Sequence, residues 1–595
     1  MSKEKKEELK SEKLSRREFL RNAGIIGGSA IIGTTFLAGC STGAVKETTG
    51  NAQKWDYEAD IVIIGLGGAG ASAAIEAHDS GAKVLVLEKQ AEATHYPNTR
   101  MSGGVWHNPD PTGDRAARVE YIKAMISGEN IPWKNEGEQE HVSKEMAEMF
   151  ADGIMENEKF LMSQAPDLDP AGMKAGGDAS FPMFPKFKEA KYGATVSTRY
   201  KDFAKADPNV PPYDQPKLNK SSGEAFFNAL VVEGIKGKRP KIEILYNTPA
   251  KRLIKGENGE IQGATAVKDG KEITVKAKRA VVLTCGGFEY NMPMRRAFLE
   301  GPGVKGWGFY GSTQNTGDGI EMAMLIGAGM AKVAKTASRI ESAFPHGENY
   351  EKYGLKMGSN TSVTSSKNSV VLDNFGKRYT DEYIITDSKR PYRYQFYKEA
   401  VHYDLLTMNY PRIPSWCIFD ETRRTAGAVV NMKSSTVGYG LLPWTKDNMD
   451  AVNRGWILKA DTLEELAAKI KADPENRDQI DAKTLVETVK KFNEYCAGGK
   501  DLDFARNPST MGPVEKPPFY ALKLYPGGPN TKGGVDANAK RQVLDWQGKP
   551  IPRLFTAGEI SSVFKFTYQA GGNLTECIVC GRLAGKNAAA LTAWS

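Results

Sequence analysis

The sequence predicts an α/β fold, and three observations support that prediction. Residues 59–89 hold two apolar runs separated by a glycine turn and an alanine-rich stretch, the order expected for strand, turn, helix and strand. A further short apolar run lies near the other end of the chain, in "PRLFTAGE" (552–559). The length of 595 residues exceeds the usual size of one domain, so we expect two.

The first apolar segment carries a glycine pattern. Gly65, Gly67 and Gly70 occupy the positions of a G-x-G-x-x-G motif between a predicted strand and a predicted helix. Glycines there let the turn close and let the helix N-terminus, with its free N–H groups and positive dipole end, approach a pyrophosphate. Glu88 ends the second predicted strand, where a carboxylate accepts hydrogen bonds from ribose hydroxyls. The segment therefore predicts a Rossmann-like dinucleotide-binding unit.

Composition and charge exclude one class of partner. The chain is 40% hydrophobic and 26% charged, which is ordinary for a globular protein, and its formal net charge is +8. Residues 1–21 carry eight Lys or Arg against five Glu and residues 22–40 carry no charge, so +5 remains for the rest. That charge is too small for a nucleic-acid footprint, and no basic stripe alternates with aromatic residues. We expect no nucleic-acid partner.

The N-terminus resembles an export signal. In "SRREFL" (15–20), Arg16 and Arg17 precede an uncharged, glycine-rich run, as in twin-arginine signals. The run ends in "LAGC", which resembles a lipobox in which Cys40 is lipidated. We expect residues 1–40 to direct export to the periplasm or cell surface with a lipid anchor at Cys40, and residues 41–56 to be a polar linker. Because this route exports folded proteins, the signal agrees with a cofactor that is loaded before export.

Cysteine usage predicts neither a haem nor a metal site. Among the six cysteines there is no C-x-x-C-H motif, so no c-type haem is attached, and electrons must come from another protein, a cytochrome or flavoprotein, or from a small carrier. Cys577 and Cys580 form a "CIVC" pair in a run of small residues. With no second pair and no nearby histidine, we interpret that pair as one face of a packed helix.

The dinucleotide is predicted to be FAD rather than NAD. "NTRMSGGVW" (98–106) follows Glu88 closely, whereas "PRLFTAGE" comes almost five hundred residues after the glycine motif. A nicotinamide domain is normally one continuous block of sequence. A site assembled from both ends of the chain therefore favours the larger flavin cofactor.

Further motifs resemble one superfamily over residues 57–594. They are "YNTPAKRLI" (246–254), "RAVVLTCGGFEYN" (279–291), "NTGDGIEMAMLIGA" (315–328), "DNFGKRYTDE" (373–382), "TKGGVDAN" (531–538) and the C-terminal "GGNLTECIVCGRLAG" (571–585). In this order they resemble the fumarate reductase and succinate dehydrogenase flavoproteins, in particular the soluble single-chain members with ketosteroid dehydrogenases as relatives. The resemblance implies an FAD-binding domain at 57–340 and 515–595, with an inserted α+β capping domain at 341–514 and the substrate at their junction.

The resemblance also implies which residues hold FAD in addition to the three glycines of the fingerprint. They are Ala69, Glu88, Thr99, Ser102, Gly103, Gly104, Ala250, Asp318, Glu559, Asn573 and its neighbour Leu574.

The segment "SSVFKFTYQAGGN" (561–573) bears candidate catalytic groups. Set against the fumarate reductases, Lys565 stands where those proteins have a histidine, and Gln569 stands where they have the arginine that clamps the substrate. Thr386 stands where their proton-donating arginine is expected. These departures argue against fumarate itself, because a dicarboxylate without its bidentate clamp would be poorly paired.

Two sources of the proton remain open. The same segment resembles a ketosteroid dehydrogenase stretch, which implies an acid–base role for Tyr568, tuned by Lys565, with Gln569 orienting the substrate. Alternatively Arg390 or Arg393, in "TDSKRPYRYQFY" (386–397), could hold a carboxylate or supply the proton.

The sequence as a whole predicts an exported FAD enzyme that reduces the C=C bond of a small α,β-unsaturated carboxylate or carbonyl compound. We expect this reaction to serve as a respiratory electron sink. One alternative is the reverse reaction, dehydrogenation of a CH–CH bond in a ketosteroid-like substrate. Another is a flavin electron-transfer subunit without C=C chemistry, which an inserted capping domain disfavours because a pure relay gains nothing from a closing lid.

Overall fold

Two large β-sheets organise this protein in the computed structural model. The structure describes residues 54–127, 144–169, 185–192, 195–201, 222–363, 366–382, 395–564 and 571–594. The expectations for Arg16, Arg17, Cys40 and the export signal lie outside these residues.

The strands, in chain order, are β1 (Tyr57–Ile64), β2 (Val84–Leu87), β3 (Val105–His107), β4 (Thr195–Ser197), β5 (Glu243–Leu245), β6 (Ala250–Lys255), β7 (Ile261–Lys268), β8 (Lys271–Leu283), β9 (Gly308–Phe309), β10 (Met330–Thr336), β11 (Arg339–Phe344), β12 (Met357–Ser359), β13 (Ser369–Leu372), β14 (Ser415–Asp420), β15 (Ile457–Ala460), β16 (Phe519–Gly528), β17 (Thr531–Val535), β18 (Gln542–Leu544) and β19 (Pro550–Thr556).

The α-helices are α1 (Gly68–Asp79), α2 (Asn98–Met101), α3 (Arg115–Ser127), α4 (Lys144–Gly153), α5 (Asn157–Gln164), α6 (Ser222–Phe227), α7 (Met292–Phe298), α8 (Asp318–Leu325), α9 (Glu348–Tyr353), α10 (Gln395–Ala400), α11 (Glu421–Thr425), α12 (Ser435–Gly438), α13 (Met449–Asn453), α14 (Leu463–Lys471), α15 (Ala482–Ala497) and α16 (Gly572–Ala589). A π-helix continues α6 over Asn228–Gly237, and short 3₁₀ turns cover Glu92–Thr94, Ile154–Glu156, Pro185–Ala190 and Pro508–Thr510.

The first sheet has a parallel core in the order β19-β8-β1-β2-β5. Residues 61–64 of β1 pair with 84–87 of β2 on one side and with 280–283 of β8 on the other. These β1 residues are at most 5% exposed, as expected for an unbroken Ile/Val run in a sheet covered on both faces. The strand–turn–helix–strand prediction for residues 59–89 is confirmed, and the glycine turn leaves the sheet at its centre.

The second sheet is mainly antiparallel, in the order β12-β11-β16-β14-β13, with β15 and β9 also paired to β16. Its strands come from both sides of the predicted 341–514 insertion, since β11 begins at Arg339 and β16 covers 519–528. All six residues of β14 are buried. The described residues form one compact unit over Lys54–Ser595, and the domain boundaries stay a prediction.

Helix α16 packs against α1 through small residues. A Cβ atom at Gly581 would lie 2.6 Å from the carbonyl oxygen of Ala69, and one at Gly585 would lie 2.3 Å from that of Ala73. Only glycine permits such close approach of the two backbones. This packing explains the small-residue pattern around Cys577 and Cys580, and it fixes the N-terminus of α16 beside the glycine turn.

No helix within the described ranges is both long enough and apolar enough to cross a bilayer.

A buried network of charges lies next to strand β13 of the second sheet. Arg506 donates to Glu382 Oε1 at 2.9 Å and to the carbonyl oxygen of Ser369 at 3.0 Å. Arg378 contacts the other oxygen of Glu382 at 3.1 Å and Asp501 at 2.9 Å. All four charged side chains are at most 3% exposed. Since two cations face two anions, the network balances its own charge.

We predict that Arg506→Met destabilises the protein by about 3–5 kcal/mol, because it leaves a buried carboxylate short of one of its two cations. The measurement is the free energy of unfolding in urea. Arg115→Met is the matched control, since Arg115 makes a similar two-bonded pair with Asp152 but is 52% exposed. Equal losses of stability in the two variants would contradict the assigned role of burial.

Candidate functional site

A cavity of about 370 Å³ lies at the glycine turn that follows β1. Its walls also come from segments near residues 97–105, 284–286, 310–322, 529–530 and 571–577, and from Glu559. The cavity brings together most of the residues predicted to hold FAD. They are Gly65, Gly67, Ala69, Glu88, Thr99, Ser102, Gly103, Ala250, Asp318, Glu559, Asn573 and Leu574.

The glycines of the fingerprint have different surroundings. Gly65 has φ of 103°, and a Cβ there would lie 2.7 Å from the carbonyl oxygen of Thr284. A Cβ at Gly70 would lie 2.0 Å from the carbonyl oxygen of Gly65. At Gly67, by contrast, the nearest atom would be Thr99 Oγ1 at an ordinary 3.6 Å. The protein's own packing therefore requires Gly65 and Gly70, while Gly67 leaves space that faces the cavity.

Two predicted cofactor residues do not line the cavity. Gly70 serves the packing of helix on strand just described, which is the usual role of the third glycine in this motif. Gly104 has φ of 66°, and a Cβ there would lie 2.1 Å from the carbonyl carbon of Ser222, at the start of α6. Gly70 and Gly104 therefore permit the close packing that supports the cavity walls, although neither residue lines the cavity.

Glu88 ties the glycine turn to the end of β2. Its carboxylate accepts hydrogen bonds from the backbone N–H groups of Leu66 and Gln90, each at 2.8 Å, and His95 Nε2 lies 3.4 Å away. Burial opposes ionisation of this carboxyl group, but His95 and the two N–H groups outweigh that effect and lower its pKa. Glu88 is therefore a carboxylate with a fixed orientation at the cavity wall.

Asp318 begins α8, where the helix dipole favours an anion. It pairs with Lys89 Nζ at 2.7 Å and accepts from Thr316 Oγ1 at 2.6 Å. Burial alone would raise the pKa of Asp318, yet Lys89 and Thr316 lower it.

Glu559 shares its surroundings with a second buried carboxyl group, Glu289. A Cβ at Gly287 would lie 2.2 Å from Glu559 Oε1 and 2.7 Å from Glu289 Oε2, so both side chains converge on that glycine. Asn98 Nδ2 donates to Glu559 at 2.8 Å and lies 3.3 Å from Glu289. Burial and the neighbouring Glu289 hold the pKa of Glu559 well above its usual range. Glu559 therefore favours the protonated form, which can donate a hydrogen bond.

A buried Lys532–Glu576 pair supports the N-terminus of α16. Lys532 Nζ donates to Asn573 Oδ1 at 2.8 Å and lies 3.4 Å from Glu576 Oε1, and both charged side chains are at most 2% exposed. Glu576 also accepts from Ser562 Oγ at 2.9 Å and from the backbone N–H of Phe564 at 2.6 Å. These contacts hold Asn573 at the cavity and fix the chain up to Phe564.

All predicted catalytic residues lie outside the described residues. They are Lys565, Tyr568 and Gln569, together with Arg390 and Arg393; Thr386 lies outside as well. Their roles stay predictions.

Sequence reasoning missed several residues that line the cavity. Arg339, at the start of β11, is joined there by Asn360, Asn431 and Ser434. These residues are far apart in sequence and match no motif, so no local signal could have identified them. Asn98 stood inside the "NTRMSGGVW" motif, yet its link to Glu559 crosses more than 450 residues.

Within the described ranges, no group of three or more His, Cys, Asp or Glu side chains could hold a metal ion. Cys577 lines the cavity and Cys580 is buried, and both are free thiols on α16.

Comparison with known proteins identifies the family. The FAD binding domain family matches residues 60–574. Digoxin reductase of Eggerthella lenta is 26% identical over 98% of both chains. A 3-oxosteroid 1-dehydrogenase of Mycolicibacterium smegmatis is 27% identical over 90% of this chain and 98% of its own length. A fumarate reductase (cytochrome) of Shewanella frigidimarina is 24% identical over 89% of this chain and 77% of its own.

A solved structure has the same fold. It is the 3-ketosteroid delta1-dehydrogenase of Sterolibacterium denitrificans, with a TM-score of 0.68, 22% identity, and coverage of 90% of this chain and 99% of that one. The chain belongs to the FAD binding domain family, within the fumarate reductase and succinate dehydrogenase flavoprotein superfamily, and is an FAD-dependent oxidoreductase.

Proposed function

We propose that this enzyme reduces the C=C bond of a small α,β-unsaturated carboxylate or carbonyl compound. One observation carries the proposal: the cavity that begins at the glycine turn is also lined by polar side chains that the second sheet and its loops contribute, including Arg339, Asn360 and Asn431. A cofactor alone does not need that second polar wall, whereas a substrate oxygen does. The relatives named for reduction of digoxin and fumarate support the same chemistry.

The residues at the glycine turn fit FAD. Space at Gly67 and the positive dipole end of α1 suit a pyrophosphate. Glu88 is oriented to accept from ribose hydroxyls, and a protonated Glu559 can donate to an oxygen of the cofactor. We propose that Ala69, Thr99, Ser102, Gly103, Ala250, Asp318, Asn573 and Leu574 complete this binding site, with Gly65, Gly70 and Gly104 shaping it.

Bound FAD supplies the hydride that C=C reduction requires. The protein must then hold the substrate oxygen that gains negative charge and deliver a proton to the carbon next to the one that receives the hydride. We propose Tyr568 for the proton, with Lys565 tuning it and Gln569 orienting the substrate. Arg390 or Arg393 is the alternative donor.

We further propose export through residues 1–40, a lipid anchor at Cys40 and delivery of electrons by a separate cytochrome or flavoprotein, with the substrate serving as a respiratory acceptor. Dehydrogenation of a CH–CH bond is a second candidate, favoured by the 3-oxosteroid 1-dehydrogenase among the relatives.

The proposed reaction predicts that the dye-reduced holoenzyme is reoxidised by enoates and enones but not by their saturated analogues. The measurement is the return of the oxidised flavin spectrum under anaerobic conditions. Reduction of the oxidised flavin by cyclic ketones, without reoxidation by any unsaturated compound, would favour the dehydrogenase. Absence of both reactions would favour an electron-transfer subunit.

A second prediction concerns Gly67. Gly67→Ala should weaken FAD binding about 10- to 100-fold, because the added methyl group enters the space meant for the cofactor. The apoprotein should lose no more than about 1 kcal/mol, since that methyl group meets no protein atom closer than 3.6 Å. The measurements are FAD titration by fluorescence quenching and urea unfolding of the apoprotein. Gly70→Ala is the contrasting variant, which should destabilise the apoprotein itself.

The third prediction separates the proton donors. Tyr568→Phe should lower turnover by about 10²–10⁴-fold with the flavin spectrum unchanged, because it removes only a hydroxyl group. Gln569→Ala should raise KM more than it lowers kcat. Turnover with a reduced dye is compared across Tyr568→Phe, Arg390→Gln and Arg393→Gln. A nearly normal Tyr568→Phe beside an inactive arginine variant would transfer the role to that arginine.

A further inference from the structure

Part of the cavity wall carries one cation among neutral donors. Of the described residues that line the cavity, the basic ones are Lys89 and Arg339. Lys89 is paired with Asp318 at 2.7 Å beside the glycine turn. Arg339 lies on the wall contributed by the second sheet and its loops. Asn360, Asn431 and Ser434, also on that wall, have side chains that donate hydrogen bonds and carry no charge.

Arg339 is held from two sides. Its Nη1 donates to the hydroxyl oxygen of Tyr310 at 3.2 Å and lies 3.7 Å from Glu341 Oε1. The Glu341 side chain is fully buried, whereas Arg339 keeps 17% of its side chain exposed. The Glu341 carboxylate is therefore enclosed in the protein interior, whereas Arg339 is partly accessible and lines the cavity.

Glu341 also connects Arg339 to the two asparagines. Its Oε2 accepts from the backbone N–H of Thr361 at 2.6 Å, which fixes the chain next to Asn360. The backbone N–H of Asn431 donates to the carbonyl oxygen of Asn360 at 2.7 Å. Glu341 thus connects the Arg339 side chain to the backbone that carries Asn360 and Asn431.

We propose that Arg339, with Asn360, Asn431 and Ser434, forms a carboxylate-binding subsite, and that the substrate is an α,β-unsaturated acid with a single carboxylate. This inference rests on the proposed C=C reduction. The planar fork of a guanidinium matches a carboxylate, and neutral amide and hydroxyl donors complete its hydrogen bonding.

The basic residues on the cavity wall indicate the class of substrate. A dicarboxylate would place a second anion in the cavity, and Lys89, the other basic residue among the described lining residues, is already hydrogen-bonded to Asp318 at 2.7 Å. A neutral ketone carries no anionic group for the Arg339 guanidinium to bind.

Equilibrium binding to the oxidised holoenzyme tests this inference without turnover. The probes are butanoate and 3-phenylpropanoate, their methyl-ketone counterparts pentan-2-one and 4-phenylbutan-2-one, and succinate, each followed through the flavin difference spectrum. We expect the wild type to bind a monocarboxylate more tightly than the matching ketone and more tightly than succinate.

The test variant is the double change Arg339→Gln with Glu341→Gln, because Arg339→Gln alone would leave Glu341 buried without its cation. Loss of a charge-assisted hydrogen bond predicts binding of the monocarboxylate weaker by about 10- to 100-fold, with ketone binding unchanged. Arg339→Lys, which keeps the charge but not the fork, should fall between. Arg454→Gln is the control, since Arg454 also pairs with an acid but is 44% exposed.

Unchanged monocarboxylate binding in the double variant would overturn the inference. So would a wild type that prefers succinate or the ketones, or that binds no monocarboxylate. Turnover separates this failure from failure of the proposed function. A wild type that reduces enones but binds no acid would support the proposed function and contradict the subsite. Acid binding that depends on Arg339, without reduction of any C=C bond, would support the subsite and contradict the proposed function.

Discussion

The site depends on the close backbone contact between the glycine turn and the end of β8. β1 lies between β2 and β8 at the centre of the parallel core, so the chain leaving β1 must turn beside Thr284. No side chain fits at Gly65 or Gly70, because the carbonyl oxygens of Thr284 and Gly65 occupy the space that a Cβ would need. This constraint places the N-terminus of α1 at the carboxyl end of the central strand β1, and α16 then packs on α1 through its own glycines.

Charge around the cavity is balanced locally. Lys89 faces Asp318, Lys532 faces Glu576, and Arg339 faces Glu341. Glu559 differs from these acids, because it shares Asn98 with Glu289 and favours its protonated form. A site that changes charge during catalysis gains from this arrangement, because its walls already hold their own charges in fixed positions. Substrate binding then adds only the charge of the substrate to this wall.

The features that the sequence could predict from spacing lie close together along the chain. The glycine fingerprint, α1, β2 and Glu88 fall within thirty residues, and their spacing alone predicts a dinucleotide turn. The second polar wall could not be predicted in that way. Arg339, Asn360 and Asn431 come from three loops or strand ends, and their meeting depends on Glu341 bonding to Thr361 and on the pairing of Thr361 with Val430. The Glu289–Glu559 pair depends likewise on parallel pairing of β8 with β19, across 270 residues. The resemblance supplied Glu559 as a single residue, but not its partner.

Both segments that carry the candidate proton donors start from buried ion networks. The chain enters the Lys565–Gln569 segment from Phe564, whose N–H is bound by Glu576, and that carboxylate is paired with Lys532. The Arg390 and Arg393 segment follows Glu382, which two buried arginines hold. Breaking either network would leave a buried charge uncompensated, which is costly, so both starting points are fixed. The residues from which these two segments begin, Phe564 and Glu382, are therefore held by the same charge pairs that stabilise the fold.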